Sequence, residues 1–398
     1  LFKDSKYAER YVIGKKEIIE NAPYDAFRRF YKDWYRPDLM AVIAVGDIDK
    51  SKVEFLIKKH FSNLTNPVNK RERIKYPIPE NEGTLFAIAS DKETTMSRTA
   101  IYTKHISKPV QTVADLRYST IERLFSSLLS ARIRELTQKP DAPFVMGFAN
   151  KGRFLGPLDI FNLGAFAVKD NRVEQCLDVL LTEYEKAKRY GFSESELERQ
   201  KVSMLRSYEK SFKEMDKTES RRLASEFIRN FLQDEFIPGI EYEYEFLKKY
   251  SPNINIEEVN KLASTLMTDD NRIVLINMPE KEGLTVPTED LLRSVFENVK
   301  SKEITPYKDE VSEKPLLSVQ PKPSPVVNEK EIKEIGVTEW TLQNGVKVIL
   351  KPTDFKNDEI LFTSYSPGGT SLVSDNEYIS ASNASSIISQ SGLAEYNL

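Results

Sequence analysis

The chain has 398 residues, 40% of them hydrophobic, so it can bury more than one core, and its length favours two or three domains. Its 58 lysine and arginine residues nearly balance 61 acidic residues, and the net charge of -3 excludes the basic surface that nucleic-acid or anionic-membrane binding needs. No stretch is apolar over the length of a membrane helix, so no membrane span is predicted. The single cysteine, Cys176, cannot form an internal disulfide.

The first predicted unit is a helix, a strand and a second helix between residues 24 and 61. Phe27, Phe30, Tyr31 and Trp34 recur at helical spacing, which predicts an amphipathic helix whose aromatic face belongs to a core. A proline then ends the helix, and the continuous apolar run at residues 39–45 predicts a strand. In residues 51–61 the apolar side chains again recur at helical spacing, which predicts the second helix.

The same order of helix, turn, strand and helix returns at residues 257–299, a separation suited to duplicated whole domains rather than to a solenoid. The second copy follows a complete domain, whereas the first follows only a short segment. We therefore expect residues 1–71 to be the C-terminal part of a first domain that has lost its front. Residues 72–305 are expected to form a complete second domain.

The predicted second domain groups its strands and helices instead of alternating them. Strands are expected at residues 84–90, 97–104, 143–150 and 158–167, and helices at 112–137 and 171–189. A long helix should begin at the capping box Ser193-Glu194-Ser195-Glu196 and run towards Phe231. This grouping favours an α+β fold, an antiparallel sheet covered on one face by helices.

The last third of the sequence predicts a linker and the start of another domain. Prolines between residues 315 and 325, followed by a charged run, predict a stiff, extended linker, which we assign to residues 306–335. Asn344-Gly345 between apolar segments signals a β-hairpin. A strand at 359–365 and a helix at 378–389 should follow, so residues 336–398 are expected to be the N-terminal part of a third domain.

Five segments, in this order along the chain, match motifs of a known family: Arg10-Tyr11-Val12-Ile13-Gly14, Trp34-Tyr35-Arg36-Pro37-Asp38-Leu39-Met40, Val45-Gly46-Asp47, Gly191-Phe192-Ser193-Glu194 and Leu342-Gln343-Asn344-Gly345. The first three are similar to Arg-x-Pro-Ile-Gly, Trp-Tyr-x-Pro-Asn-x-Met and Val-Gly-Asp, with Val12 in place of proline and Asp38 in place of asparagine. The fourth resembles the entry to a long helix, and the fifth a Leu-x-Asn-Gly opening. Together they resemble the pitrilysin/insulinase family of zinc peptidases.

The resemblance implies repeated two-layer α+β domains in two halves that close over a peptide, with the first and third domains truncated here. In that family two histidines of an inverted His-x-x-Glu-His helix and a later glutamate hold zinc, and the motif glutamate activates the metal-bound water. The motif is absent from this sequence, whose two histidines, His60 and His105, have no Glu-His neighbour. The family places all three ligands before the segment that Arg10 begins. The resemblance thus implies no catalytic, cofactor-binding or metal-ligating residue in this chain.

The prediction of function rests on the resemblance alone. It implies that the full-length parent is a zinc metalloendopeptidase acting on peptides or unfolded polypeptides, with this chain as scaffold and chamber wall, inactive by itself. The partner of the chain would then be the remainder of the same polypeptide. The alternative is a non-catalytic relative that serves as a peptide-binding or assembly subunit. Bacterial relatives favour the periplasm or cell envelope over the cytoplasm.

The remaining candidate residues are expected to have ordinary structural roles. We expect His60 to contact the terminal carbonyls of its helix and His105 to be a surface or half-buried residue. Cys176 falls on the apolar side of a helix, which predicts a buried, inert thiol. The glycines of residues 152–156 predict a turn and not a phosphate loop, and residues 241–246 predict an amphipathic helical segment and not an aromatic peptide-binding patch.

Overall fold

The structure is a computed structural model that describes residues 1–10, 12–309, 315, 317, 319–389 and 391. Expectations for residues 11, 310–314, 316, 318, 390 and 392–398 lie outside the described residues. The chain divides into two compact units, Leu1–Arg206 with Glu219–Lys308, and Ser207–Thr218 with Asp309–Leu398. In the described ranges, no helix combines the length and the apolar composition that a membrane crossing requires.

The regular elements of the described residues fall into helices and strands with short 3₁₀ turns between them. The helices are α1 (Lys6–Glu9), α2 (Lys16–Asn21), α3 (Tyr24–Trp34), α4 (Lys50–Phe61), α5 (Val113–Thr137), α6 (Val173–Tyr190), α7 (Glu194–Lys213), α8 (Ser220–Gln233), α9 (Gly239–Tyr250), α10 (Ile256–Lys261), α11 (Glu289–Ser301) and α12 (Tyr378–Ser389). The strands are β1 (Thr84–Asp91), β2 (Arg98–Ile106), β3 (Phe144–Leu155), β4 (Leu158–Ala167), β5 (Arg272–Pro279), β6 (Val326–Ile332), β7 (Val337–Leu342) and β8 (Lys347–Leu350).

The first unit is built on a five-stranded sheet with the order β1-β5-β2-β4-β3. All neighbouring pairs are antiparallel except β1 and β5, which run parallel. Helices α5, α6 and α11 bury their apolar sides against one face of this sheet in a single core. The α+β class predicted from the sequence is confirmed, and the parallel β1–β5 pair makes the sheet mixed where an antiparallel one was expected.

Helix α5 supplies the centre of that core. It begins at a capping box, in which the Thr112 side chain accepts from the backbone N–H of Asp115 and the Asp115 carboxylate accepts from that of Thr112. Phe125, fully buried on this helix, packs its ring edge-on against Phe192 at 5.4 Å between centroids. The packing leaves so little room that a Cβ on Gly147 of β3 would overlap a methyl group of α5. The predicted helix at 112–137 is therefore the main cover of the sheet.

The opposite face of the same sheet carries a second, smaller apolar cluster. Ala100 and Tyr102 of β2 lie buried in it, and Leu1 and Phe2 pack partly buried against it. The Phe2 ring stacks on Phe154 of β3 at 5.6 Å between centroids. The start of the chain thus covers part of the face that the helices leave open.

Residues 1–71 form helices, but their apolar side chains are not buried. The predicted helices at 24–35 and 51–61 are confirmed as α3 and α4. The predicted core role of the aromatic face is wrong, because Phe27, Phe30 and Tyr31 are 57%, 59% and 63% exposed. The predicted strand at 39–45 is also wrong, because none of the described strands pairs with this extended run, and a strand exists only through its ladder of hydrogen bonds.

The long helix predicted from Ser193 towards Phe231 is interrupted. Helix α7 ends at Lys213, a 3₁₀ turn follows, and α8 begins only at Ser220. The Thr218 hydroxyl donates to the Glu214 carbonyl at 3.2 Å, and Thr218 itself has extended backbone angles. A local hydroxyl-to-backbone bond of this kind competes with the helical ladder, which explains the break.

The second unit contains the sheet β6-β7-β8, antiparallel throughout. The predicted hairpin is confirmed, with Gly345 at φ 86°, a left-handed conformation that favours glycine. Strand β6 lies inside the segment assigned to the linker, and residues 359–365 form no strand among the described residues. The segment before them is held by Glu214, which accepts from the backbone N–H groups of Asn357 and Asp358 at 2.6 Å each.

Candidate functional site

The two histidines lie in separate elements and in different surroundings. His60 is exposed in the last turn of α4, at the end of the helix where its terminal carbonyls lie. His105 lies near the end of β2, half-buried as predicted, with its Nε2 3.0 Å from the carbonyl oxygen of Leu266. A carbonyl oxygen can only accept, so Nε2 carries the proton and Nδ1 remains as an acceptor.

Cys176 is buried on α6 as predicted. Its thiol donates to the Pro143 carbonyl at 3.3 Å, and burial raises the pKa of the thiol to about 12, against a smaller opposing effect of Arg172. Since the thiolate is the nucleophilic form, this cysteine has no reactive species near neutral pH.

The described residues do not fit the zinc ion that the sequence resemblance implies for the parent. No group of three or more His, Cys, Asp or Glu side chains lies close enough within the described ranges to hold a metal ion. His105 uses its Nε2 proton on a backbone carbonyl, and the acidic residues beside it are already ion-paired with lysine and arginine. No catalytic step at a metal is derived from these residues.

A charged cavity lies at one end of the sheet of the first unit, and the strand register explains its charge. Along the helix-covered face, β2 and β4 pair Ile101 with Leu163 in the core, and then His105 with Asp159 at the strand ends. In β3, Arg153 lies opposite Asp159. The apolar face therefore becomes charged where the helices cease to cover it.

The cavity has a volume of about 720 Å³ and is enclosed by loops and helices around those strand ends. Its floor comes from β2, β3 and β4, and its walls from the start of α5, from α8 and α9, and from the loop after α10. Apolar side chains share the lining with the charged ones; Val110, Leu116, Phe236 and Pro238 belong to this group. A cavity of this size can hold a side chain or a short peptide segment.

Two cations at the floor, Lys151 and Arg153, are already paired. Lys151 Nζ lies 2.7 Å from Glu122 Oε1 and 4.0 Å from Asp159 Oδ2, and these three side chains are only 13–15% exposed. Arg153 donates to the Ser107 hydroxyl and lies 3.9 Å from Asp159. Pairing at this depth offsets the cost of removing each charge from water.

The wall formed by α8 and α9 differs from the floor, because it contains a carboxylate that has no partner among the described residues. Glu243 of α9 is half-buried and has no hydrogen bond or ion pair with any described residue, whereas Arg229 of α8 pairs with Glu235 at 3.4 Å. Burial raises the pKa of the Glu243 carboxyl, outweighing the attraction of Arg123 and other arginines nearby. Burial likewise lowers the pKa of His105, which keeps its ring neutral near neutral pH.

Sequence reasoning located these residues only in part. Residues 241–246 were predicted as an amphipathic segment, which α9 confirms with Phe246 and Leu247 buried. The turn predicted at 152–156 is wrong for residues 152–155, which belong to β3, and is confirmed only at Gly156, between β3 and β4. The cavity itself was not predicted, because it joins residues from α5, α8 and α9 that no local pattern connects.

Comparison with known proteins identifies the family. Residues 21–204 match the family model described as the peptidase M16 inactive domain. A protein of Arabidopsis thaliana named zinc protease PQQL-like is 32% identical over 401 residues, covering 100% of this chain and 38% of that protein. The chain belongs to the pitrilysin/insulinase family of zinc peptidases.

Solved structures with the same fold include the periplasmic protease PqqL from Escherichia coli, at a TM-score of 0.68 and 20% identity, covering 85% of this chain and 37% of that chain. Another is the ferredoxin protease FusC in complex with Arabidopsis ferredoxin, at a TM-score of 0.62 and 20% identity, covering 87% of this chain and 39% of that chain. The chain spans about two fifths of the length of the curated relatives it matches, which it covers to 38% and 42%. The pitrilysin/insulinase fold predicted from the sequence is confirmed.

Proposed function

We propose that this chain is part of a zinc metalloendopeptidase and that it supplies a wall of the chamber in which peptides are hydrolysed. Membership of a peptidase family carries this proposal, together with the 32% identity to a protein named as a zinc protease. The substrate would be a peptide or unfolded polypeptide. The zinc would be held by residues of the parent outside those described for this chain, since the described residues hold no fitting ligand group.

We also propose the domain organisation predicted from the sequence. Residues 1–71 would be the back of the metal-binding domain, 72–305 a complete second domain, 306–335 the linker between the halves, and 336–398 the front of the third domain. Support comes from apolar surface that the described structure leaves open. Phe30 of α3 is 59% exposed, and Ile360 and Phe362 of the unpaired extended run are 94% and 86% exposed. Exposure on this scale is typical of faces that pack against other protein.

The alternative is a non-catalytic relative that uses the same fold to bind peptides or to assemble a complex. The matching family model is described as an inactive domain, and a domain of that kind is compatible with both functions. The sequence of the full-length parent distinguishes the enzyme from the non-catalytic relative. The enzyme requires His-x-x-Glu-His and a later glutamate, and the non-catalytic relative lacks them.

A cleavage assay with the full-length protein tests the proposal. We expect an unstructured peptide to be cut, a chelator to stop the reaction, and replacement of the motif glutamate by glutamine to abolish it. The 398-residue chain alone, as the matched control, should cut nothing. Chelator-sensitive cleavage by this chain alone would show that it holds its own metal site, and absence of cleavage by the full-length protein would favour the non-catalytic relative.

Location is a further part of the proposal. The solved relative from Escherichia coli is described as periplasmic, and on that basis we favour the bacterial periplasm or cell envelope over the cytoplasm. Fractionation of cells that express the full-length protein tests this assignment. Recovery in the cytosolic fraction would contradict it.

A further inference from the structure

We propose that the charged cavity at the end of the first unit's sheet binds a cationic side chain, lysine or arginine, of a peptide, with the Glu243 carboxylate as its counter-ion. The proposal rests on the proposed function only in taking the occupant to be a peptide. It concerns binding and requires neither zinc nor cleavage.

The first argument is the pairing of charges within the cavity. Lys151 and Arg153 at the floor share Glu122 and Asp159, and Arg229 on the wall has Glu235. These three cations have their counter-ions already, so an anionic ligand beside any of them would have to compete with carboxylates held in place by the fold. Lys104 also lines the cavity and donates to the Pro79 carbonyl, so the glutamate peptide is included among the probes below.

The second argument is the state of Glu243. This half-buried carboxylate lines the cavity without a hydrogen bond or ion pair from any described residue. Arg123 and Arg222 attract it, yet burial still has the larger effect on its pKa, so the carboxylate is under-compensated. An ammonium or guanidinium group would supply the missing donors, and hydrogen bonds to charged groups are stronger than neutral ones.

The third argument is the rest of the lining. Glu226, whose charge also acts on Glu243, lies on the same wall and adds a second carboxylate. His105 offers its bare Nδ1 as an acceptor from the floor. Val110, Leu116 and Phe236 give apolar surface for the methylene stem of a lysine or arginine, which such side chains bury while their charged end finds polar partners.

Calorimetric titration of the 398-residue chain with blocked pentapeptides tests the proposal. The probes are acetyl-Ala-Ala-Lys-Ala-Ala-amide and the same peptide with norleucine or glutamate at the centre; blocked ends exclude a terminal amine or carboxylate as the ligand. We expect the lysine peptide to bind at least tenfold more tightly than the norleucine peptide, about 1.4 kcal/mol. Glu243→Gln should reduce this preference to less than threefold.

Glu241→Gln is the matched control, because Glu241 lies on the same helix but is exposed and does not line the cavity. It should keep the tenfold preference. Equal affinity for the lysine and norleucine peptides in the unaltered chain overturns the proposal, and so does tighter binding of the glutamate peptide or no binding of any probe. These outcomes leave cleavage by the full-length protein untouched, so the two proposals fail separately.

Discussion

Removal of the Arg132 guanidinium should destabilise the first unit far more than removal of a matched arginine on the same helix. Arg132 of α5 donates to both carboxylate oxygens of Glu196 on α7, at 2.7 and 2.9 Å, and to the Gly191 carbonyl at 3.0 Å. Its guanidinium lies between the rings of Phe192 and Tyr307, at 4.5 and 4.2 Å. Arg132 thereby ties α5 to the segment that begins α7.

Burial sets the expected magnitude. The side chains of Arg132 and Glu196 are only 3% and 6% exposed, and loss of one partner of a buried pair costs about 3–5 kcal/mol. In Arg132→Met the methionine still fills the space between the two rings. Glu196 also keeps its bonds from the Ser193 amide and hydroxyl, at 2.8 and 2.9 Å. We therefore expect the lower end of that range, about 3 kcal/mol.

Arg117→Met is the control. Arg117 also lies on α5 and also donates to both oxygens of a carboxylate, Glu258, at 2.7 and 2.8 Å, and to a backbone carbonyl at 3.2 Å. The two side chains are 29% and 30% exposed, and pairs open to solvent contribute about 0.2–1 kcal/mol. The two variants therefore remove the same kinds of hydrogen bond. They differ in burial, in the ring contacts of Arg132 and in the second buried carboxylate, Glu183, which lies 3.7 Å from the Arg132 guanidinium.

Native-state hydrogen exchange, measured on peptides from α5, gives the opening free energy of each variant. Combining Arg132→Met with Glu196→Gln should recover part of the loss, because the glutamine carries no charge and still caps α7. The reasoning is refuted if Arg132→Met costs under 1 kcal/mol, or if Arg117→Met costs as much.

Three further outcomes follow from local geometry. Gly147→Ala should lower the free energy of unfolding by about 1–3 kcal/mol, because the new methyl overlaps α5, whereas Gly152→Ala on the same strand meets nothing within 4 Å and should be near neutral in urea titrations. Cys176, with its pKa raised to about 12, should resist a thiol reagent at pH 8 until urea unfolds the chain; rapid labelling of the folded chain would contradict its burial. Glu214→Ala should speed exchange at the Asn357 amide, while unchanged exchange there would mean that the carboxylate does not hold this segment.

Several elements that are stabilised by local contacts were predicted correctly from the sequence. The capping box at Ser193, the Asn-Gly hairpin and the apolar spacing of α5 each act through neighbours in sequence, and each is found where it was predicted. The strand predicted at 39–45 fails for the opposite reason. Its apolar run is suited to a sheet, but the hydrogen-bond partners that make a strand must come from elsewhere.

The same limit applies to the aromatic face of α3. Helical spacing of Phe27, Phe30 and Tyr31 correctly predicted the helix, yet periodicity states only which side chains share a face. Whether that face is buried depends on what packs against it. Spacing alone therefore supports the helix, and only the proposed neighbouring domain would account for its apolar surface.

The cavity was beyond sequence reasoning for a related physical reason. His105 and Asp159 are far apart in the chain and become neighbours only through the register of β2 and β4, while Glu243 reaches the same cavity from α9. Each is an unremarkable residue in its own segment. Their significance depends on which charged side chains remain unpaired once the unit has folded. A carboxylate prefers a cation strongly only when the fold has removed it from water and has given it no partner. That pairing of charges is a property of the assembled unit, so no pattern within a single segment can predict it.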